Sequence, residues 1–300
     1  LEGVVAAETV LSEVDGKAGR LIVRGRELDE LAGRVSFEDL TRLLWDGFFE
    51  DLPEDLGPAL GAARAEVFAE VSALDTGLLD RTPIEAMRAL TARLGDGDSL
   101  EVALRLTAAP AVFTAAVVRA QDGLAPVAPD PTLSHAADVL HMLRGAAPPR
   151  AEAEALDTYL VTVADHGLNA STFAARVVAS TRAGLASAVL AGISALKGPL
   201  HGGAPGPVIE MLDGIGEAAN ARAWIEAALA NGDRLMGFGH RIYRVRDPRA
   251  DALKAAVRRL VAQSPRRPGR LDFAEAVEAA ALAILRAHKP DRALDTNVEF

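Results

Sequence analysis

An all-α fold carrying one small N-terminal β-hairpin is what this sequence predicts, on three observations. Half of the 300 residues are hydrophobic but only 4% are aromatic. Alanine and leucine, which favour helix over sheet, recur along the whole chain. Helix-start signals precede the apolar stretches, and no strand–helix–strand alternation is present, which argues against a doubly wound sheet.

The hairpin comes first. Thr9 to Val14 and Arg20 to Val23 flank the turn-forming run Asp15-Gly16-Lys17-Ala18-Gly19. Ser36 with Asp39 three residues on forms a capping box, followed by Leu40, Leu43 and Leu44 on one face and Gly47 as the stop. Thr82-Pro83-Ile84-Glu85 is a stronger box, because proline also takes the first helical position. Leu100 to Ala120 predicts a long apolar helix with a kink at Pro110. Further helices are expected near 133–144, 151–163, 171–181, 183–196, 207–212, 218–230, 249–262 and 273–287. Loops rich in Pro, Gly and Ala are expected at 122–131, 145–149 and 264–270.

Composition excludes several function classes. A net charge of −10 and a pI near 5.2 do not suit a non-specific nucleic-acid binder, and no nucleic-acid partner is expected. The absence of cysteine removes disulfides, thiolate metal sites, iron–sulfur clusters and cysteine nucleophiles, and suggests a cytoplasmic setting. No run reaches the ~18 consecutive apolar residues of a membrane span, so no membrane association is expected. The chain opens on Leu1 without a signal peptide, and the lack of an initiator Met suggests a longer gene product. At 300 residues the length suits about two domains.

Of six histidines, His135, His141 and His288 fall inside expected helices and read as structural. The other three lie in glycine-rich or polar segments. His201 sits in Lys197-Gly198-Pro199-Leu200-His201-Gly202-Gly203, where glycine lets the backbone approach a ligand closely. It is either a plain turn histidine or a neutral imidazole able to donate to a carbonyl oxygen that becomes an enolate. His240 opens a ten-residue stretch with Arg241, Arg244, Arg246 and Arg249. That stretch is either a solvated basic loop or an anion pocket, since arginine forks match carboxylates and phosphates. His166 belongs to Asp165-His166-Gly167-Leu168-Asn169-Ala170-Ser171-Thr172; N-capping by Asn169 or Ser171 explains the polar residues but not the histidine. The histidines lack metal-ligand spacing, so no metal site is expected. Gly192-Ile193-Ser194-Ala195 lacks the second glycine of a nucleophile elbow, which disfavours a serine hydrolase.

Taken together, Gly-Pro-Leu-His-Gly-Gly, Gly-Phe-Gly-His-Arg-x-Tyr-Arg-x-x-Asp-Pro-Arg and Asp-His-x-x-Asn-Ala-Ser-Thr resemble the three signature segments of the citrate synthase family, in that family's order. The opening Leu1 to Ala6 and the Val14-Asp15-Gly16 and Arg24-Gly25 stretches resemble it as well. The resemblance implies a two-domain helical fold, with a large domain over 1–202 whose C-terminal part is missing from this chain and a small domain over 203–300. It implies that His201 stabilises the enol of an acyl-CoA and that His240 polarises and protonates the ketone of oxaloacetate. His166 and Arg249 would hold oxaloacetate, Arg244 would meet the CoA phosphates, and Leu235, Met236, Gly237, Phe238 and Gly239 would lie against the adenine. Glu299, in Asn297-Val298-Glu299-Phe300, stands where the family carries its carboxylate base, usually aspartate. The longer arm must be compensated by the backbone, because a misplacement of about 1 Å can cost roughly a hundredfold in rate. Val163, Gly167 and Pro205 also depart from the family pattern, without removing a proposed catalytic group.

The implied reaction is condensation of acetyl-CoA with oxaloacetate and hydrolysis of the thioester to give citrate and CoA, with the CoA thioester as substrate and no other cofactor. Propionyl-CoA, giving 2-methylcitrate, is the alternative, because one methylene is worth only ~1–3 kcal/mol of discrimination. A protein of another class, binding acyl-CoA or a dicarboxylate without turnover, is a further alternative that rests on Glu299. A homodimer is expected, with the Ala/Gly/Ser-rich helices at 171–196 as candidates for the interface or for inter-helix packing. The family continues past the position of Phe300 with a helical segment carrying two more oxaloacetate arginines, so a truncated or unseen tail is expected.

Overall fold

The structure is a computed structural model that describes residues 7–199, 201–203, 205–239, 243, 245–263, 268–288 and 294–300. It begins with three short strands, β1 (Ser12–Asp15), β2 (Arg20–Val23) and β3 (Arg26–Glu27). Helices follow: α1 (Leu28–Leu31), α2 (Phe37–Trp45), α3 (Gly57–Phe68), α4 (Thr76–Leu79), α5 (Pro83–Thr91), α6 (Leu100–Gln121) and α7 (His135–Arg144). Next come α8 (Arg150–Val163), α9 (Ala170–Ala179), α10 (Leu185–Leu196) and α11 (Pro205–Ile215). The last are α12 (Ala221–Ala230), α13 (Pro248–Gln263) and α14 (Pro268–His288). The fold class is all-α.

The expected hairpin is a three-stranded antiparallel sheet, order β1-β2-β3. Ser12 pairs with Val23 and Asp15 with Arg20. Asp15 shapes the first turn by accepting from the Lys17 and Ala18 amides, each at 2.9 Å. The third strand was missed in the sequence. It is joined by the two-residue turn Arg24-Gly25, both residues at positive φ, which matches the right-handed twist of the flanking strands.

The chain divides into two compact units. One takes Val35–Val161 and Leu168–His201; the other takes Thr9–Arg34, Thr162–Gly167 and Gly202–Phe300. In the first unit α3, α5 and α7 pack on α6. Ala108, Ala109, Val112 and Phe113 line the centre of α6 and are almost wholly buried. The helix runs unbroken through Pro110. Its 22 residues and mean hydropathy of 1.5 would suit a membrane span, and 56% of that window is buried within the protein, the pattern of a core helix. Both capping boxes read from the sequence form, Ser36–Asp39 on α2 and Thr82–Glu85 on α5. Gly61 of α3 is a point of close approach, since a Cβ there would lie 2.2 Å from the Pro131 carbonyl oxygen.

The oppositely charged Arg64 and Asp138 are both fully buried in this unit. Arg64 donates from Nε to Asp138 Oδ2 at 2.5 Å and from Nη2 to the Leu133 carbonyl at 2.7 Å. Nearby His135 stacks on Phe37, and burial together with the Arg64 charge holds its imidazole down at about 3.

The second unit packs α11, α12 and α14 around Val208, Met211, Ile215, Ile225, Val277 and Ala281. Leu235 and Phe238 insert into the same core. Burying such side chains contributes ~1.5–3 kcal/mol each, which anchors the loop that precedes His240.

Candidate active site

In the first unit, Asn169 caps α9 by accepting from the Thr172 amide at 3.0 Å, while its own amide donates to Thr172 Oγ1 at 2.7 Å. That cap places Ser171 in the first turn. The Ser171 hydroxyl lies 2.7 Å from Asn169 Oδ1 and 2.9 Å from His201 Nε2. A hydroxyl has one proton, so two states follow. When it points to Asn169, His201 must donate from Nε2. When it points to His201, the imidazole carries its proton on Nδ1, and Asn169 Oδ1 keeps the Thr172 amide. The second state leaves Nδ1–H as a donor for a carbonyl oxygen.

The other residues read from the sequence lie in the second unit. His166 is half-buried on a short turn. Ser12 of β1 holds that turn, bonding Asp165 Oδ1 and accepting from the Gly167 amide at 2.7 Å. Asp247 and Pro248 open α13. Asp247 Oδ1 accepts from the Arg249 amide at 3.0 Å, and proline suits the first helical position. The Arg249 side chain folds back on the same carboxylate, Nε to Oδ1 at 3.0 Å and Nη2 to Oδ2 at 2.8 Å. Arg249 and Asp247 are both buried, at 4% and 1% exposure. The guanidinium also lies 5.7 Å from the Tyr243 ring centroid. Burial pushes the Tyr243 phenol up to about 12, with Arg249 opposing and Asp247 adding to the rise.

The segment bearing Glu299 is knitted to the loop before His240. Phe238 pairs antiparallel with Thr296, the Asn297 amide donates to the Gly237 carbonyl at 3.0 Å, and Asn297 Nδ2 donates to the Gly239 carbonyl at 2.8 Å. Asn297 Oδ1 accepts from the Glu299 amide at 2.9 Å. Phe300 rests on Phe238, with ring centroids 5.1 Å apart. Gly237 has φ +84°, and a Cβ there would lie 2.9 Å from Phe300 Cβ. Asp247 Oδ2 also accepts from the Val298 amide at 3.3 Å. One buried carboxylate thus ties Arg249 to the backbone beside Glu299.

The structure therefore brings together Leu235, Met236, Gly237, Phe238, Gly239, Arg249 and Glu299 within one unit, along with His166 on its own turn. His201 belongs to the other unit. His240 and Arg244 lie outside the described residues. Among the described residues, no group of three His, Asp or Glu side chains is arranged to hold a metal ion. Sequence reasoning assigned no role to Asp247 or Asn297, and it treated Ser171 only as a cap. The Asp-Pro pair at a helix start was the available signal for Asp247. Nothing local signals that Ser171 reaches a histidine thirty residues on.

The fold is all-helical, with a hydroxyl-bonded imidazole in one unit and a buried arginine and a carboxylate on an irregular backbone segment in the other; family and structural relatives place it among acyl-CoA condensing enzymes, which are transferases. Comparisons with known proteins identify it further. The family profile described as citrate synthase, C-terminal domain, matches residues 1–300. A protein named putative citrate synthase 2 from Mycobacterium bovis is 41% identical over 307 residues, covering 100% of this chain and 79% of that protein. A 2-methylcitrate synthase from Mycobacterium tuberculosis is 39% identical over 273 residues, covering 87% of this chain and 69% of its own length. The crystallised citrate synthase of Thermoplasma acidophilum, in ternary complex with carboxymethyl coenzyme A and oxaloacetate, superimposes with a TM-score of 0.84 at 25% identity, covering 99% of this chain and 81% of that one. The chain belongs to the citrate synthase family.

Proposed function

We propose that this enzyme condenses acetyl-CoA with oxaloacetate and hydrolyses the adduct to citrate and CoA. The observation that carries the proposal is the Asn169–Ser171–His201 chain, which can present Nδ1–H of a neutral imidazole to the thioester oxygen. In this reading Glu299 takes a proton from the carbon next to the thioester carbonyl, and His201 supports the developing enolate oxygen. The enol carbon attacks the ketone of oxaloacetate, whose oxygen takes a proton from His240. Water then cleaves the thioester and releases CoA. His166 and Arg249 hold oxaloacetate; Arg249 is positioned for this by Asp247. Arg244 meets the CoA phosphates, and the backbone of Leu235, Met236, Gly237, Phe238 and Gly239 lies along the adenine. Glu299 and His240 carry the proton transfers of the condensation, and the CoA thioester enters as substrate. The family relative crystallised with carboxymethyl coenzyme A and oxaloacetate supports this ligand pair.

The 39% identity to a 2-methylcitrate synthase favours propionyl-CoA as a second reading. Thiol release from each thioester in the presence of oxaloacetate separates the two, with Glu299→Gln and His240→Ala as controls. Release that needs oxaloacetate and is lost in both variants is the expected outcome, and the ratio of the two thioesters names the substrate. Release that persists in both variants would overturn the assignment of roles.

The proposal includes a homodimer. Helix α9 has no buried residue, and its Phe173 and Val177 are half exposed. Helix α10 is almost uniformly apolar, yet buries only Ala186 and Ala188. A second copy covering this face is the occupant that fits, and sedimentation at a monomer mass would contradict it.

A further inference from the structure

We propose that Glu278, acting through Thr296, is a positioning residue for Glu299. This rests on the reading of Glu299 as the base. The segment 294–300 has no regular secondary structure beyond the single Phe238–Thr296 bridge. A glutamate carboxylate sits at the end of a flexible arm, so its location is set by how firmly this backbone is held. Asn297 and Asp247 hold the segment from the side of the 237–239 loop and the start of α13. Thr296 holds it from the other direction. Its side chain is buried, and its hydroxyl donates to Glu278 Oε1 on α14 at 2.7 Å.

Glu278 is itself fixed. It is 6% exposed, and it receives the Lys254 ammonium of α13 and Arg246 Nη1 at 3.4 Å. Arg246 is paired with Asp251 and lies 3.7 Å from Asp295, the residue before Thr296. Two cations and one buried carboxylate therefore clamp α13, α14 and the 294–300 segment to one another. Helix α13 carries Arg249 and the segment carries Glu299, so the clamp fixes the register between the proposed carboxylate-binding arginine and the proposed base. The pair Thr296–Glu278 differs in kind from the backbone contacts around it, because it depends on side chains alone and can be removed without disturbing the bridge.

The test uses Thr296→Val, which keeps the branched shape and deletes the hydroxyl, with Thr296→Ser as the conservative rescue and Glu278→Gln as a second entry to the same contact. In the whole protein, Thr296→Val is expected to lower kcat by roughly 10- to 100-fold, as a misplaced catalytic group does, with the KM values for both substrates nearly unchanged. The isotope effect on kcat with methyl-deuterated acetyl-CoA is expected to rise as proton abstraction becomes slower, and Thr296→Ser is expected to restore both values. A merely structural role would lower active enzyme in proportion to the folded fraction and leave the isotope effect where it was. Wild-type kcat and isotope effect in Thr296→Val would overturn the proposal, whether or not Glu278→Gln folds. Glu299→Gln run alongside separates the two readings: if it turns over normally, the base assignment fails; if it is dead while Thr296→Val is normal, only the positioning role fails.

Discussion

Replacing Ser171 with alanine isolates the hydroxyl that faces His201. The hydroxyl is 2.9 Å from Nε2, and among the described residues it is the ring's hydrogen-bond partner. Its loss removes one net hydrogen bond, worth ~0.5–1.5 kcal/mol, or roughly two- to tenfold in rate if only ring orientation suffers. A second loss is added in the state where the hydroxyl donates to Nε2, because that state alone leaves Nδ1–H to donate to the enolate oxygen. Removing one preorganised donor of that kind costs about 10²–10³ in kcat. The expected result is a kcat lower by at least about tenfold, with KM for the thioester changed little. Thermal stability should hold, because Asn169 still caps α9 through the Thr172 amide. Thiol release gives the kinetics, and ¹⁵N chemical shifts of the His201 ring give the tautomer. A kcat within about twofold of wild type, with an unchanged ring spectrum, would refute the reasoning.

Four other outcomes are expected. Asp138→Asn leaves the fully buried Arg64 guanidinium without its carboxylate and should destabilise by ~3–5 kcal/mol in urea unfolding, whereas a joint Arg64→Met, Asp138→Leu replacement should cost less. Gly237→Ala forces a Cβ against Phe300 at a left-handed backbone position, and should raise KM for the CoA thioester more than it lowers kcat in steady-state assays. His135 is held at about 3 in the folded protein against an ordinary 6.5, so the unfolded chain binds the extra proton between those values. Stability from this group is complete above about pH 6.5 and falls as pH drops toward 3; His135→Gln should flatten that fall in a pH series of melting curves. Asp157 works the other way, since burial, with Glu38 and Asp39 adding to it against the Phe37 amide, raises it to about 6. Asp157→Asn should therefore stabilise at pH 7.5 and lose its advantage below about pH 4.

Much of the fold was legible because local signals were strong. Ser36, Thr82 and Asn169 cap the helices they precede, and α7, α8 and α10 begin within two residues of their expected starts. Helix α3 was not read, because Leu56 offers no capping side chain at its start. Helix α14 begins at Pro268 rather than near 273, since Pro-Gly reads as a loop although proline is also tolerated in the first helical turn. The site divides in the same way. Glycine-rich segments and the arginine run announce themselves in sequence. The groups that fix them do so across long separations, Asp247 to Val298 and Glu278 to Thr296, and no local pattern encodes such pairings.

The split membership of the second unit has a consequence for how the protein is made. Gly19, in the turn between β1 and β2, lies against Val245 and Arg246, far along the chain. At translation speeds of roughly 5–20 residues per second, the N-terminal strands wait about 10–45 s for that stretch to be synthesised. The buried residues of the core around α6 all precede His201, so that core can close before the later segments are synthesised. Leu21 and Val23, which end up almost fully buried, belong to this unit and wait with it for its later segments. A holdase that protects the nascent chain has a long window there.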